Sequence, residues 1–128
     1  MENSMNNRIG KLESEDGKSY DLNEGFNLVG RLSEVHKNDV GIDSDDAYFG
    51  RQHFVIDIVM PIDSDSEVYD YILSDYNSKN GTAVIFAANK LKKELNETAR
   101  IYLRNGDIII AGKTKLKLVI PSKDINNL

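Results

Sequence analysis

"DYNSKNGT", Asp75 to Thr82, decides how this 128-residue chain is read. It packs two asparagines, a serine, a lysine and a glycine into a few residues, directly after the strand-like "VYDYIL". Asn80-Gly81 is a two-residue hairpin signal, because both residues tolerate the positive φ angles of a type I′ turn. That accounts for Asn80 and Gly81 but gives Ser78 and Lys79 no purpose. The stretch is either a tight turn between two strands or a loop that holds something.

Outward from it the chain is punctuated at regular intervals, at Asp16-Gly17, Gly25, Gly41, Pro61, Asn105-Gly106 and Gly112. Short runs rich in Val, Ile, Phe, Tyr and Leu lie between. In "TKLKLVI", Leu116, Leu118 and Ile120 share one face and Lys115 and Lys117 the other. "HFVIDIV" sets Phe54, Ile56 and Ile58 against Val55, Asp57 and Val59, and "YDYILSD" sets Tyr69, Tyr71 and Leu73 against Asp70 and Ser74. Such spacing predicts an all-β sandwich or barrel. One segment dissents. "FAANKLKKELNETA" (Phe86–Ala99) is rich in helix formers, with Leu91 and Leu95 at i, i+4, and reads as a loop with at most one or two helical turns. The acidic clusters Asp43–Asp46 and Asp63–Glu67 read as solvated loops. By length this is one domain, with a core over about residues 8–121 and loose ends at 1–7 and 122–128.

Composition narrows the function. A formal net charge of −5, without a basic patch interleaved with aromatics, argues against nucleic acid as partner. The absence of cysteine excludes disulfides and thiolate zinc sites. The opening "MENSMNNRIGKLE" has no apolar core of a signal peptide, and no apolar run approaches the ~18 residues of a membrane span. A soluble, cytoplasmic monomer with no membrane contact is expected.

Catalysis finds no foothold. The two histidines are His36 and His53, and no G-x-S-x-G elbow surrounds any serine. There is no G-x-x-x-x-G-K-[ST] phosphate loop. Asp63, Asp65 and Glu67 lack the turn glycine and distal glutamate of an EF-hand. No metal, cofactor or enzymatic activity is expected. The cations are more telling, since Arg31, Arg51 and Lys79 each lie at a strand end beside Gly, Asn or Ser. Arg forks and neutral donors together suit a phosphate, although surface ion pairs of little energetic worth would read the same way.

Four blocks sharpen this: "VGR" (Val29–Arg31), "FGRQH" (Phe49–His53), "YILSDYNSKNGT" (Tyr71–Thr82) and "LRNGDIIIAG" (Leu103–Gly112). In order and rough spacing they resemble the forkhead-associated (FHA) domain, over about residues 8–120. The resemblance implies a two-sheet β-sandwich of about eleven strands that reads phosphothreonine on a protein or peptide through loops at one edge. It makes Arg31 the arginine that grips the phosphate and Arg51 a second basic residue of the pocket. Ser78 and Lys79 would occupy the loop that faces the phosphate and the neighbouring peptide, and Asn80 would hold the peptide backbone. Gly30, His53, Gly81 and Thr82 would support the site.

Two features depart from the family pattern. Gly50 stands where the family has a serine whose hydroxyl donates to the phosphate, and one hydrogen bond to a charged group is worth roughly 1.5–3 kcal/mol. The place is open to the Gly50 N–H or to a bridging water, or else the fold serves as a scaffold that binds its partner without phosphate. The segment after the N-G-T, "AVIFAANKLKKELNE", is long and lacks the family's hairpin turn.

Overall fold

The structure is a computed structural model and describes residues 9–60 and 68–121. The expectations for the chain ends and for Asp63–Glu67 fall outside these residues. Among the described residues there are eleven strands and no helix. None of them forms a helix long and apolar enough to cross a membrane. In chain order they are β1 (Lys11–Ser14), β2 (Ser19–Asp21), β3 (Gly25–Arg31), β4 (Val40–Ile42), β5 (Phe54–Val59) and β6 (Asp70–Asp75). β7 (Thr82–Ile85), β8 (Lys92–Glu94), β9 (Ile101–Tyr102), β10 (Ile108–Ala111) and β11 (Thr114–Val119) follow.

They form two sheets, one of six strands in the order β2-β1-β11-β10-β7-β8 and one of five in the order β4-β3-β5-β6-β9. The alternation seen in the sequence sets the inner faces. Phe54, Ile56 and Ile58 of β5, Leu73 of β6, and Leu116 and Leu118 of β11 are fully buried in one core, with Phe49 and Ile109. Burying each such side chain stabilises by roughly 1.5–3 kcal/mol. The outer faces differ. Lys115 and Lys117 of β11 are exposed, as alternation requires, whereas Val55 on the outer side of β5 is only 4% exposed.

All pairings are antiparallel except β3 with β4, where Gly30 lies opposite Gly41. Asp39, just before β4, takes the Leu28 N–H on its carboxylate at 2.8 Å and so fixes the return of that loop. A Cβ on Gly30 would fall within 3 Å of the Arg51 carbonyl and the Gln52 nitrogen, so only glycine lets the two backbones touch here. At the opposite end of the sandwich, β1 and β11 pair from Lys11↔Val119 onward.

The helical expectation for Phe86–Ala99 reduces to a single turn. The Lys90 N–H donates to the Phe86 carbonyl at 2.8 Å, and Lys90 adopts φ 64°. The chain then reverses into β8 against β7, with Phe86 N–H bonded to the Leu91 carbonyl at 3.0 Å. Leu91 is 63% exposed while Leu95 packs on the core, so the pair forms no helical stripe. The hairpin absent from the sequence pattern is present in the fold.

Candidate functional site

The ends of β3 and β6 and the starts of β5 and β7 meet at one end of the sandwich, and the residues singled out in the sequence gather there. Arg31 closes β3. Its main-chain N–H donates to the Gly50 carbonyl at 2.8 Å, and its Nε–H donates to the Phe49 carbonyl at 2.9 Å. The two terminal NH2 groups are left for an anion. Arg51 and Lys79 are exposed. None of the three cations has a carboxylate within ion-pair distance among the described residues. Three uncompensated positive charges therefore sit at one end of a chain of net charge −5.

His53 ties the loops together. The ring is fully buried, stacked at a tilt against Phe49 with centroids 5.5 Å apart. Its Nδ1 accepts the Gly50 N–H at 2.8 Å, so the proton sits on Nε2, which donates to the Gly81 carbonyl at 2.7 Å. This overturns the expectation that the Gly50 N–H faces an anion, because His53 holds it. Both backbone groups of Gly50 are therefore engaged.

Asp75 organises the other half. Its carboxylate accepts the Ser78 N–H at 2.9 Å and the hydroxyls of Ser78 and Thr82, each at 2.5 Å. Burial opposes its ionisation, but these three donors outweigh it and hold the carboxyl below its usual range. The Ser78 oxygen in turn accepts the Gly81 N–H at 2.9 Å. The Ser78 hydroxyl thus serves the loop itself, and Thr82 is a buried prop beneath it. Gly81 takes φ 84° and Asn77 φ 54°, which aims the tip of the loop outward. Asn80 reaches across and donates through its amide to the Tyr48 carbonyl at 3.0 Å.

A continuous path of hydrogen bonds therefore runs from Arg31 through Gly50, His53 and Gly81 to Ser78. Arg51 joins the group through its carbonyl, and Lys79 by its place in the chain between Ser78 and Asn80. Three residues escape the sequence reading. Asp75 stands three before Ser78, an Asx-type spacing that could have revealed it. Asn38 donates to the Arg51 carbonyl at 2.5 Å, a contact that only the β3–β4 crossover creates. Tyr48 is half exposed and carries Lys113 over its ring at 4.8 Å. Its N–H is held by Asp46, whose second oxygen takes the Lys113 N–H and the Thr114 hydroxyl. Beside Tyr48 opens a cleft of about 790 Å³ lined in part by Glu15, Asp16, Asp43, Asp45 and Asp46. Lys18 neutralises Asp43 at 2.6 Å. Among the described residues no cluster of His, Asp or Glu is placed to hold a metal.

The FHA domain model matches residues 27–112 of this chain, which span the whole site. The chain belongs to the FHA family. Among solved structures this FHA domain is similar to one from a structural and functional analysis of phosphothreonine-dependent FHA domain interactions. The two are 25% identical with a TM-score of 0.61, covering 89% of this chain and 98% of that one. It is also similar to the FhaA FHA domain complexed with the intracellular domain of Rv3910 (26% identity, TM-score 0.58, 85% and 98% covered). A third is the FHA domain of an Arabidopsis thaliana hypothetical protein (25% identity, TM-score 0.65, 90% and 87% covered). No match was found among curated proteins.

Proposed function

We propose that this FHA domain, over about residues 8–121, is a non-catalytic module that binds phosphothreonine on a protein partner. The observation that carries the reading is the gathering of Arg31, Arg51 and Lys79, none of them paired, around loops already fixed by His53 and Asp75. A phosphoryl group carries about −1.5 to −2 charges at neutral pH and three acceptor oxygens. The free end of Arg31 supplies a bidentate fork to two of them. Arg51 and Lys79 add charge from either side. Asn80 has a second amide N–H and an oxygen free for the peptide backbone. Ser78 and Gly81 act by holding Lys79 and Asn80 in place, and Gly30 by bringing Arg31 against the Arg51 backbone. The similar domain studied for phosphothreonine-dependent interactions supports the ligand class. The acidic cleft beside Tyr48 favours basic residues flanking the phosphothreonine, and an array in which acidic flanks bind better would remove that preference.

A second reading follows from one feature. Gly50 has no hydroxyl and its N–H is held by His53, so the phosphate contact at this position is vacant. A scaffold that binds its partner without phosphate would look like this. Titration of a phosphothreonine peptide library and its unphosphorylated counterpart against wild type and Arg31→Ala separates the two. Binding that ignores both phosphate and Arg31 eliminates the phosphothreonine reading.

A further inference from the structure

A second surface runs along β9 at the edge of the five-stranded sheet, from Arg100 beside Ser74 to Arg104 at the end away from Arg31, and it does not depend on the phosphothreonine reading. In "RIYLR", Ile101 packs on the core and Leu103 is 6% exposed, while Arg100, Tyr102 and Arg104 between them are all exposed. Exposure thus alternates through and beyond the two-residue strand β9, and leaves Arg100, Tyr102 and Arg104 at the surface. Neither guanidinium meets a carboxylate or a hydrogen-bond acceptor among the described residues. β9 is also the last strand of its sheet, so its far edge is unpaired.

Next to this strip a cleft of about 500 Å³ opens between the β7–β8 turn and the β9–β10 connection. Tyr102, Phe86 and Arg104 stand on its walls. Its floor is pre-formed by Asp107, which is 2% exposed. One oxygen of that carboxylate takes the Ala87 N–H and the other the Arg104 N–H, each at 2.8 Å. The turn and the connection are therefore clamped from beneath, and the Arg104 side chain is free because only its backbone serves the clamp. The volume lies within the ~300–1,000 Å³ of ordinary ligand clefts.

The chemistry of an occupant follows from the charge. A chain of net charge −5 repels acidic partners over most of its surface, yet here two unpaired arginines flank an exposed tyrosine at the mouth of an apolar cleft. We propose that this strip and cleft dock an acidic, extended segment of a protein partner. Its carboxylates would meet Arg100 and Arg104, an apolar side chain would enter beside Tyr102 and Phe86, and its backbone would lie along the free edge of β9. No phosphate on the segment is needed.

The test uses the full 128-residue chain, isotope-labelled for amide NMR, and an unphosphorylated peptide of alternating leucine and glutamate. Matched peptides carry glutamine or lysine in place of glutamate. The glutamate peptide should move the amide resonances of residues 86–89 and 100–107, leave those of Arg31 and Ser78 in place, and weaken as salt rises. The double variant Arg100→Glu with Arg104→Glu should weaken it by about tenfold or more. Both positions are exposed, and an unchanged melting temperature shows that the fold survives. Absence of binding, equal binding of the glutamine or lysine peptide, or shifts confined to the phosphate-facing loops overturns the proposal. So does an oligouridylate that binds the strip more tightly than the peptide, which would make it a nucleic-acid surface.

Discussion

Gly50→Ser tests whether the phosphate contact missing from this FHA domain is the only thing missing. The geometry admits the side chain. Gly50 does not adopt a left-handed φ, and an added Cβ would meet His53 Nδ1 at 3.2 Å, with the next neighbours at ordinary contact distances of 3.7 and 3.8 Å. The His53 ring must give by a few tenths of an ångström, at a stability cost of about 1 kcal/mol or less. The gain is one hydroxyl at the position where the family pattern has its phosphate-contacting serine. A hydrogen bond to a charged group contributes roughly 1.5–3 kcal/mol, which is about ten- to a hundredfold in dissociation constant. Calorimetric titration of a phosphothreonine peptide into wild type, Gly50→Ser and Gly50→Ala measures it, with Ala separating the Cβ from the hydroxyl. Ser should tighten binding and Ala should leave it level or weaken it. Equal effects of Ser and Ala, or no gain from Ser in a variant that melts like wild type, would refute the reasoning.

Three further outcomes follow from the same contacts. His53→Ala opens a cavity in the core and frees Gly50 from Gly81, so chemical denaturation should show a loss of about 2–4 kcal/mol. Phosphopeptide affinity should fall with it although the ring touches no ligand, and undiminished affinity would show that the loops hold without the pin. Asp75 and Asp46 are buried enough to resist ionisation, but the donors around each outweigh that and hold both carboxyls below the usual range. Their stabilisation is present above the unfolded carboxyl value of about 3.9 and is lost as pH falls through their folded values. Asp75→Asn should therefore flatten the acid limb of the stability curve below about pH 4. Tyr71 is 4% exposed and its hydroxyl donates to the Ile9 carbonyl, so burial, aided by Tyr69, pushes its pKa up to about 12. Its stabilisation is full below the unfolded value of about 10 and is lost as pH climbs towards 12. Ultraviolet titration should find one of the six tyrosines ionising last, and Tyr71→Phe should remove the alkaline loss.

The strands with strong alternation were legible, and β5, β6 and β11 lie where "HFVIDIV", "YDYILSD" and "TKLKLVI" place them. Each has one face in the core, and burial is what writes a period of two into a sequence. β8 has no such face. Lys92, Lys93 and Glu94 are all exposed, so its strand character comes from pairing with β7, and local propensity pointed towards helix instead. Most of the candidate site was legible as a set of residues, since Arg31, Gly50, His53 and Gly81 do meet. The partners of individual donors were not. Gly50 N–H finds His53 only once the chain has turned back on itself, and Asn38 finds Arg51 only across the β3–β4 crossover. The Ser78 hydroxyl meets the Asp75 carboxylate only once the loop between them has turned.

The pairing of β1 with β11 at Lys11↔Val119 has a practical corollary. The two outermost strands of the chain leave the sandwich side by side, at the end away from Arg31, with Gly10 packed against Ile120. Whatever is spliced on at either side hangs from the base of the domain like a cable from the back of an instrument, and the loops at the front stay clear. A fusion or a surface tether can thus be attached at both positions, or the two joined to each other by a short bridge and the chain reopened elsewhere, without crossing the loops that carry Arg31.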